Sequence, residues 1–368
     1  MNDIIVAGHI CVDLVPQLPS DAGIEPGSLY EVGPLTIKLG GCVANTGGDL
    51  ADLGVSVKLA AAIGDDELSE FVHGMFSKRG FDGSSLQVKP LADTSYSLVL
   101  QPRGADRTFW HHDGANALFD ESLIEPAGER ILHLGYPPLL RGILVDNGAP
   151  LHRLLSRVRR AGLTTSLDMA VVDPRSAVGK LDWKSIFDVV LPEVDVFSPS
   201  FDDVTSALQI HEEFSIDLVE RLAQTFLDQG TAIVSISCGS RGLYTRTAQV
   251  PRLLQAGIAL KDLSDIWAGK SIWQPAMDVS NIATTNGAGD AAIAGFLFGL
   301  LLGFSPEQTS YLATVCAAVK ISGDLTTLSA ITKIDRRLGS LIGSLNHTNL
   351  GSEGRIESHN PLVESASK

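Results

Sequence analysis

Segments with strand-like and helix-like hydrophobic patterns alternate along most of the chain, and this alternation restricts the possible folds more than any other feature. A β-branched run at 4–8 precedes a helical pattern at 44–53, a strand-like run at 55–63 and a helical pattern at 67–78. The alternation resumes with strand-like runs at 131–134, 164–168, 194–198 and 232–237 and helical patterns at 151–160 and 216–228. It predicts an α/β fold with a mostly parallel central sheet and helices on both faces, whose ligands bind at the carboxyl ends of the strands.

One segment, 94–113, does not follow the alternation. Residues 94–101 and 108–113 are strand-like and are joined by a short turn at 102–106, which predicts a hairpin. A small β lid over a binding site and an edge hairpin of the main sheet explain this pattern equally well.

Composition and charge exclude several classes of protein. The chain has 28 Lys and Arg against 43 Asp and Glu, and its net charge of −15 argues against a nucleic-acid partner. The longest uncharged apolar run, 291–304, is shorter than the ~20 residues of a membrane span and predicts a core helix. The four cysteines are widely separated, and the first residues lack a signal-peptide pattern, so we expect a cytoplasmic protein.

The turn that opens this core helix carries the clearest chemical motif. Residues 285–290 read Thr-Asn-Gly-Ala-Gly-Asp. Backbone N–H groups at the positive end of a helix suit an anion, and Asp290 lies where it can take a proton from an alcohol. An ordinary strand-to-helix turn with an acidic residue in its first turn explains this motif alone about equally well.

Further motifs follow in a fixed order along residues 4–330. They are Gly8 with Asp13 beyond it, Gly40-Gly41-Cys42-Val43-Ala44-Asn45 with a helix ended by Leu53-Gly54, Ile63-Gly64-Asp65-Asp66, Asp168, Ser198-Pro199-Ser200, Ser237-Cys238-Gly239-Ser240-Arg241-Gly242, and the turn 285–290. In these motifs and their order the chain resembles the ribokinase-like (PfkB-type) carbohydrate kinases. The motifs around Gly40 and Gly287 are specific as a pair, whereas either alone is weak.

The resemblance implies the domain organisation and the reaction. It implies a ribokinase-like kinase domain at 1–345 with a β lid from about 12–38 and 94–113, followed by a tail at 346–368 that we expect to be disordered. The implied activity is ATP- and Mg²⁺-dependent phosphorylation of a hydroxyl of a small sugar or sugar acid. No Walker-type phosphate loop and no Gly-x-Gly-x-x-Gly motif competes with this interpretation.

The resemblance also assigns the reaction centre and the nucleotide site. Asp290 matches the base that activates the sugar hydroxyl, and Gly287, Ala288 and Gly289 match the anion hole for the γ-phosphate. The local chemistry of the turn agrees with both roles. Five residues match positions that border the nucleotide: Ser237, Gly239, Gly242, Thr285 and Asn286.

The sugar-binding positions of the family match Asp13, Gly40, Gly41 and Asn45. A carboxylate accepts hydroxyl protons, an amide donates and accepts, and glycines allow close approach of a ring. Taken singly, Asp13 as a turn residue and Asn45 as a helix N-cap are the better explanations.

Two residues of the hairpin are further candidates for the substrate. Arg107 can bind a carboxylate or phosphate and His112 can bond a hydroxyl, but an ion pair of Arg107 with a neighbouring Asp on a solvated hairpin is equally compatible.

The chain departs from the family pattern at three places. Ser200 and Asp203 replace the usual Asn-x-x-Glu of the family. Asp203 is therefore a candidate to bind Mg²⁺ through a water molecule. A helix N-cap at Ser200, with acidic residues in the first turn, explains the same residues. Thr284 stands where an acid usually helps to bind a monovalent cation, which makes potassium activation doubtful. Near Leu134, Tyr136 follows Gly135 where ribokinases place a Glu, which makes D-ribose a less suitable substrate.

Other functions remain compatible with the sequence. A nucleoside kinase of the same fold is favoured by Phe109 and Trp110 on the hairpin, and a catalytically silent sugar- or nucleotide-binding regulator is favoured by the departures at Ser200 and Thr284. Because an apolar strand face of an open lid is commonly covered by a second copy, we expect a homodimer joined through 94–113.

Overall fold

The computed structural model describes residues 2–19, 25–101 and 108–349. In chain order its strands are β1 (Ile4–Gly8), β2 (Cys11–Pro16), β3 (Leu35–Gly40), β4 (Val57–Ile63), β5 (Leu86–Val88), β6 (Tyr96–Leu100), β7 (Thr108–His112), β8 (Ile131–Gly135), β9 (Thr164–Leu167), β10 (Val196–Phe197), β11 (Ile233–Ser237), β12 (Leu243–Thr247) and β13 (Ser271–Gln274). Its helices are α1 (Cys42–Asp52), α2 (Glu67–Arg79), α3 (Val145–Arg160), α4 (Trp183–Val190), α5 (Phe201–Ala207), α6 (Ile216–Asp228), α7 (Val250–Leu253), α8 (Ser264–Trp267), α9 (Ala288–Leu301), α10 (Pro306–Ile321), α11 (Leu328–Ile334) and α12 (Arg336–Asn349).

The large sheet has the strand order β13-β12-β11-β10-β9-β8-β1-β4-β5. Neighbouring strands from β5 to β11 are parallel, which confirms the predicted mostly parallel sheet. The last two strands, β12 and β13, are antiparallel to their neighbours. The hydrophobic pattern did not predict this antiparallel edge, because neither strand is separated from the preceding one by a long helix.

Helices cover both faces of this sheet. Along the central strand β1, Ile4 and Val6 pack into one hydrophobic core with α1, α9 and α10, while Ile5 and Ala7 pack into a second core with α3, α4 and α6. Residues of a strand point alternately to the two faces, so a strand that is apolar at every position must be buried on both. The α/β fold with helices on both faces is therefore confirmed.

A second, smaller sheet has the order β3-β2-β6-β7. The pairs β2–β3 and β6–β7 are antiparallel, and β2 and β6 join them in parallel. Of the two explanations for the hairpin, the β lid is confirmed, because β6 and β7 pair with β2 and not with an edge of the large sheet. The turn at 102–106 and Arg107 lie outside the described residues.

The ends of the helices follow local chemistry. Ser305 is the N-cap of α10, and its side chain and that of Gln308 form the predicted capping box with Pro306 at the first helical position. The core helix α9 begins at Ala288, three residues before the predicted apolar run. No helix within the described ranges combines the length and the apolar character that crossing a membrane requires. Residues 350–368 of the predicted tail lie outside the described residues.

Candidate active site

A cavity of about 970 Å³ opens at the carboxyl ends of the parallel strands. Its lining includes the residue at or just beyond the end of five adjacent strands: His9 after β1, Tyr136 after β8, Asp168 after β9, Ser198 after β10 and Ser237 at the end of β11. Parallel strands bring these ends to one edge of the sheet, where this architecture binds ligands.

Asp290 lies in the first turn of α9 at the wall of this cavity and is only 4% exposed. Two side chains of α1 fix its carboxylate. Asn45 donates to Oδ2 over 3.1 Å, and Thr46 donates to Oδ1 over 2.9 Å. The explanation of Asn45 as a helix N-cap is wrong, because α1 is capped by Gly41 and Asn45 lies inside the helix.

Tyr136 completes the set of donors around Asp290. Its hydroxyl lies 2.8 Å from Oδ1 and 2.9 Å from Oδ2 and has one proton to donate. A carboxylate has about four acceptor positions. Asn45, Thr46 and Tyr136 together fill three of them, so one acceptor position remains for another donor.

Burial determines the proton affinity of these two groups. Burial raises the pKa of Asp290 above its ordinary value, although the hydrogen bonds from Tyr136, Thr46 and Asn45 and the charge of Lys320 each lower it. Burial and the neighbouring carboxylate raise the pKa of Tyr136 well above its usual range, so Tyr136 remains a donor at neutral pH. Asp290 is therefore a stronger base than an exposed carboxylate.

The turn before α9 lies beside this carboxylate. Gly287 has a φ of 77°, in the left-handed region that favours glycine, and caps the helix with no side-chain hydrogen bond. Gly287 and Gly289 line the cavity, as do Thr285 and Asn286, whereas Ala288 does not. The first N–H groups of a helix have no partner within it, so this turn can bind an anion next to Asp290.

A buried ion pair supports the turn from behind. Lys320 of α10 donates to both oxygens of Asp49 over 2.9 and 3.2 Å, and Thr326 donates to the same carboxylate over 3.1 Å. The Lys320 chain passes so close that a methyl group on Gly287 would lie 3.1 Å from its Cε. A fixed positive charge therefore lies under the candidate anion site.

Asp168 and Asp203 are among the other carboxylates that line the cavity. Burial and repulsion by Asp203 and Asp290 raise the pKa of Asp168 well above its usual range, and burial raises the pKa of Asp203 to about 6. Asp203 also accepts the Ser200 N–H over 2.8 Å in a capping box at the start of α5. Oxygen donors that repel one another suit a hydrated Mg²⁺, although the described residues contain no group of three metal-ligating side chains.

The opposite wall of the cavity is one face of the lid sheet. Strand pairing puts Lys38, Asp13, Ser97 and His111 in a row across β3, β2, β6 and β7. Burial raises the pKa of Asp13, and its carboxylate occupies space that a side chain at Gly40 would need, because a Cβ there would lie 2.6 Å from its oxygens. Asp13 belongs to strand β2, so its explanation as a turn residue is wrong.

The structure brings most of the predicted site residues to this cavity. Its lining includes Asp13, Gly41, Asn45, Asp203, Ser237, Thr285, Asn286, Gly287, Gly289 and Asp290. It does not include Gly40, Ala288, Gly239, Gly242 or His112.

The lid residue that reaches the cavity is His111, one position before the predicted His112. The His112 ring instead packs against Tyr96 and lies 3.7 Å from the carboxylate of Asp93. Successive strand residues face opposite sides, so one residue decides which histidine faces the cavity.

Sequence reasoning gave no role to several residues that the fold places here. Tyr136 was noted only as a departure from the family pattern, Asp168 only as a motif residue, and His9 and Thr46 not at all. A signal existed for Thr46, which directly follows Asn45 on a helix, and for Tyr136 and His9, which directly follow apolar strands.

Comparison with known proteins agrees with the fold. Residues 1–333 match the family model described as pfkB family carbohydrate kinase. A 5-dehydro-2-deoxygluconokinase of Clostridium perfringens is 24% identical over 89% of this chain and 91% of its own. The ribokinase of Arabidopsis thaliana, complexed with ribose and ATP, superposes with a TM-score of 0.66 at 15% identity, covering 90% of this chain and 98% of that one.

A nucleoside kinase of Burkholderia thailandensis, in complex with inosine, is also similar in structure. Its TM-score is 0.65 at 16% identity, and the match covers 92% of this chain and 97% of that one. At such identities the structural likeness establishes the fold, and the family model adds the kind of enzyme. The chain belongs to the pfkB family of carbohydrate kinases.

Proposed function

We propose that this kinase transfers the γ-phosphate of ATP to a hydroxyl of a small sugar or sugar acid, with Asp290 as the base. The observation that carries the proposal is the environment of Asp290: a buried carboxylate, held by three donors, with one acceptor position left and a glycine turn beside it. A base that must take a proton from an alcohol needs this combination of fixed position and raised proton affinity.

The reaction follows from these positions. The acceptor hydroxyl donates to the remaining position on Asp290, and its proton passes to the carboxylate as its oxygen attacks the γ-phosphorus. The bond from the γ-phosphorus to the oxygen of the β-phosphate breaks in the same step, and ADP leaves with that oxygen. The N–H groups at Gly287–Gly289 and the charge of Lys320 stabilise the negative charge on the transferred group. Mg²⁺, when bound, neutralises charge on the ATP phosphates, and Asp203 with Asp168 would hold it through its water ligands.

The nucleotide would extend from this turn along the strand ends that carry hydroxyl side chains. Ser198, Ser200 and Ser237 line that part of the cavity, and the Ser198 hydroxyl is buried with no hydrogen-bond partner in the described ranges. Thr285 and Asn286, which precede the glycine turn, also line the cavity. In this arrangement Gly239 and Gly242 act through the backbone of the turn after β11, outside the cavity wall.

An ADP-release screen tests the proposal. The purified full chain is incubated with ATP and Mg²⁺ and with pentoses, hexoses, sugar acids, sugar phosphates and nucleosides, and each rate is compared with the rate without acceptor. We expect acceptor-dependent ADP release with a sugar or sugar acid. If none of the acceptors in the panel stimulates ADP release, the result would favour the silent regulator and would overturn the proposal.

A nucleoside acceptor is the second candidate, because aromatic rings surround the substrate end. The His9 ring lies 5.0 Å from that of His111 and 5.9 Å from that of Tyr136, and Phe109 lines the same cavity. Flat rings at this spacing can stack on a base. The nucleosides of the screen distinguish this candidate, since a kcat/KM for them above that for every sugar would favour it.

We also propose a homodimer joined through the lid. Ile37, Tyr96 and Trp110 are exposed on the lid face that points away from the cavity, and Trp110 is 49% exposed. Exposed apolar side chains on a small sheet are commonly covered by a second copy. Light scattering at micromolar concentration should give a dimer, and sugar should slow amide exchange in 94–113. A monomer, or exchange that sugar does not change, would contradict this lid interface.

A further inference from the structure

His9 is a buried polar side chain with no partner of its own at the substrate end of the cavity. It is 2% exposed, it lines the cavity, and neither ring nitrogen has a hydrogen-bond partner in the part of the chain that the structure describes. A buried polar group without a hydrogen-bond partner destabilises the folded protein. A ligand that bonds this ring would offset that destabilisation, so His9 points to a polar group of the substrate.

The lid supplies the matching side chains. The His111 ring lies 5.0 Å from the His9 ring, and its Nδ1 is 3.0 Å from the Ser97 hydroxyl. Ser97 and Asp13 are paired neighbours on β6 and β2. Two imidazoles, a hydroxyl and a carboxylate thus converge on one end of the cavity, and all four can accept hydrogen bonds.

The charge at this end is already balanced. Among the described residues that line the cavity, Arg141 is the one Lys or Arg, and its guanidinium is bound to Asp113 over 2.5 Å. Lys38 lies directly across from Asp13 in the lid sheet and lowers the pKa of that carboxyl by its charge. Burial lowers the pKa of both His9 and His111, so the two rings are neutral at pH 7.

The carboxylates near the reaction centre make the described part of the cavity unfavourable for a second anion. Asp168, Asp203 and Asp290 face the same cavity. Among the described lining residues, no Lys or Arg is free to pair with them, because Arg141 is already bound to Asp113. Among these described residues, a carboxylate on the acceptor would find a cation only by displacing Asp113 from Arg141. An uncharged hydroxyl or carbonyl meets no such cost, because neutral imidazole can donate to it or accept from it.

We infer that His9 and His111 select an uncharged polyol or carbonyl sugar as the acceptor, against a sugar acid or sugar phosphate. The inference rests on the proposed phosphoryl transfer and adds the substrate class. It differs from the substrate in the name of the Clostridium perfringens relative, which is a sugar acid. His9 and His111 are accordingly specificity-determining residues that contact polar groups of the sugar at the part of the cavity lined by Asp13 and Ser97.

Matched pairs of acceptors test the inference on the full chain. Each pair has the same carbon skeleton and differs in one carboxylate, such as D-glucose with D-gluconate and D-ribose with D-ribonate, and D-fructose with its 6-phosphate tests a phosphate. With saturating ATP and Mg²⁺, we expect kcat/KM for the uncharged member of the best pair to exceed that of the charged member at least about tenfold.

Variants of His9 connect this preference to the residue. His9→Ala should lower kcat/KM for the uncharged acceptor about 10- to 100-fold through its KM and leave the KM for ATP unchanged. His9→Asn, which retains a donor and an acceptor, should recover part of the loss. His73→Ala removes an exposed histidine from α2 and serves as the matched control. Circular dichroism and thermal unfolding establish that each variant is folded.

The outcomes separate this inference from the proposed function. Preferred turnover of the charged members overturns the inference and leaves the kinase reaction standing. So does a folded His9→Ala variant that keeps wild-type kcat/KM for the uncharged acceptor, or one that raises both KM values equally. Absence of ADP release with every acceptor removes the proposed function and the inference with it.

Discussion

The Tyr136 hydroxyl lies 2.8 and 2.9 Å from the two carboxylate oxygens of Asp290, although 154 residues separate them in the sequence. Tyr136 holds this position with a φ of 60°, which non-glycine residues adopt infrequently. Tyr136 follows β8 directly, and Asp290 lies in the first turn of α9. One contact therefore joins the strand ends to the helix that carries the candidate base.

Tyr136→Phe tests this contact. Loss of the donor removes one of the interactions that lower the pKa of Asp290, so that pKa rises further. A base is lost as pH falls through its pKa, so the acid limb of kcat/KM should move to higher pH, and kcat should fall about tenfold. The pH–rate profile measures both effects.

Tyr311→Phe is the matched control, because the Tyr311 hydroxyl donates to Asp335 over 2.9 Å outside the cavity lining. Its profile should follow that of the wild type. A Tyr136→Phe profile with an unmoved acid limb would separate Tyr136 from the ionisation of the base.

Asp13→Ala should raise the KM for the sugar far more than the KM for ATP, because it removes a buried acceptor from the lid face of the cavity. Initial rates over a grid of both substrates give the two constants. Asp262→Ala, at an exposed turn, is the control. Equal increases in both constants would remove Asp13 from the sugar site.

Lys320→Met should affect stability and turnover separately. It leaves Asp49 buried without its cation and should lower the free energy of unfolding by about 3 kcal/mol, the lower end for such pairs because the Lys320 side chain is 23% exposed. It also removes a charge that lowers the pKa of Asp290, so the acid limb of the profile should move to higher pH. Denaturant unfolding and the pH–rate profile measure the two effects.

The double variant Asp49→Asn, Lys320→Met distinguishes the two roles. Compared with Lys320→Met alone, it should recover much of the free energy of unfolding, because no unpaired charge remains. It should not recover the turnover. Lys270→Met breaks an exposed pair with Glu307 and should cost less than about 1 kcal/mol. Wild-type turnover in the folded double variant would leave Lys320 with a structural role only.

Hydrophobic periodicity predicted the large sheet because its strands and helices are long, apolar and alternating. The helix predicted at 216–228 is α6 with the same bounds, and the capping box at Ser305 identified the start of α10. The edge strands β12 and β13 were missed, since short antiparallel strands with polar residues have no comparable signal.

The candidate site was predictable where its chemistry comes from residues that are adjacent in the sequence. It was not predictable where strand register or tertiary contacts determine which side chains meet. The turn at Gly287 and Asp290 is local, so the motif located it. The choice of His111 over His112 depends on the register between β6 and β7, and the contact of Tyr136 with Asp290 joins residues that are 154 positions apart in the sequence. Neither relationship is encoded within one segment of the sequence.

The most direct test of the account is the turnover number of Asp290→Asn with the best acceptor from the screen. The amide keeps the shape of the side chain but cannot take the proton, so kcat should fall about 10²- to 10⁴-fold. ATP binding, measured by calorimetry, and thermal unfolding should show a folded protein that still binds nucleotide. A kcat near that of the wild type would contradict the assignment of Asp290 as the base.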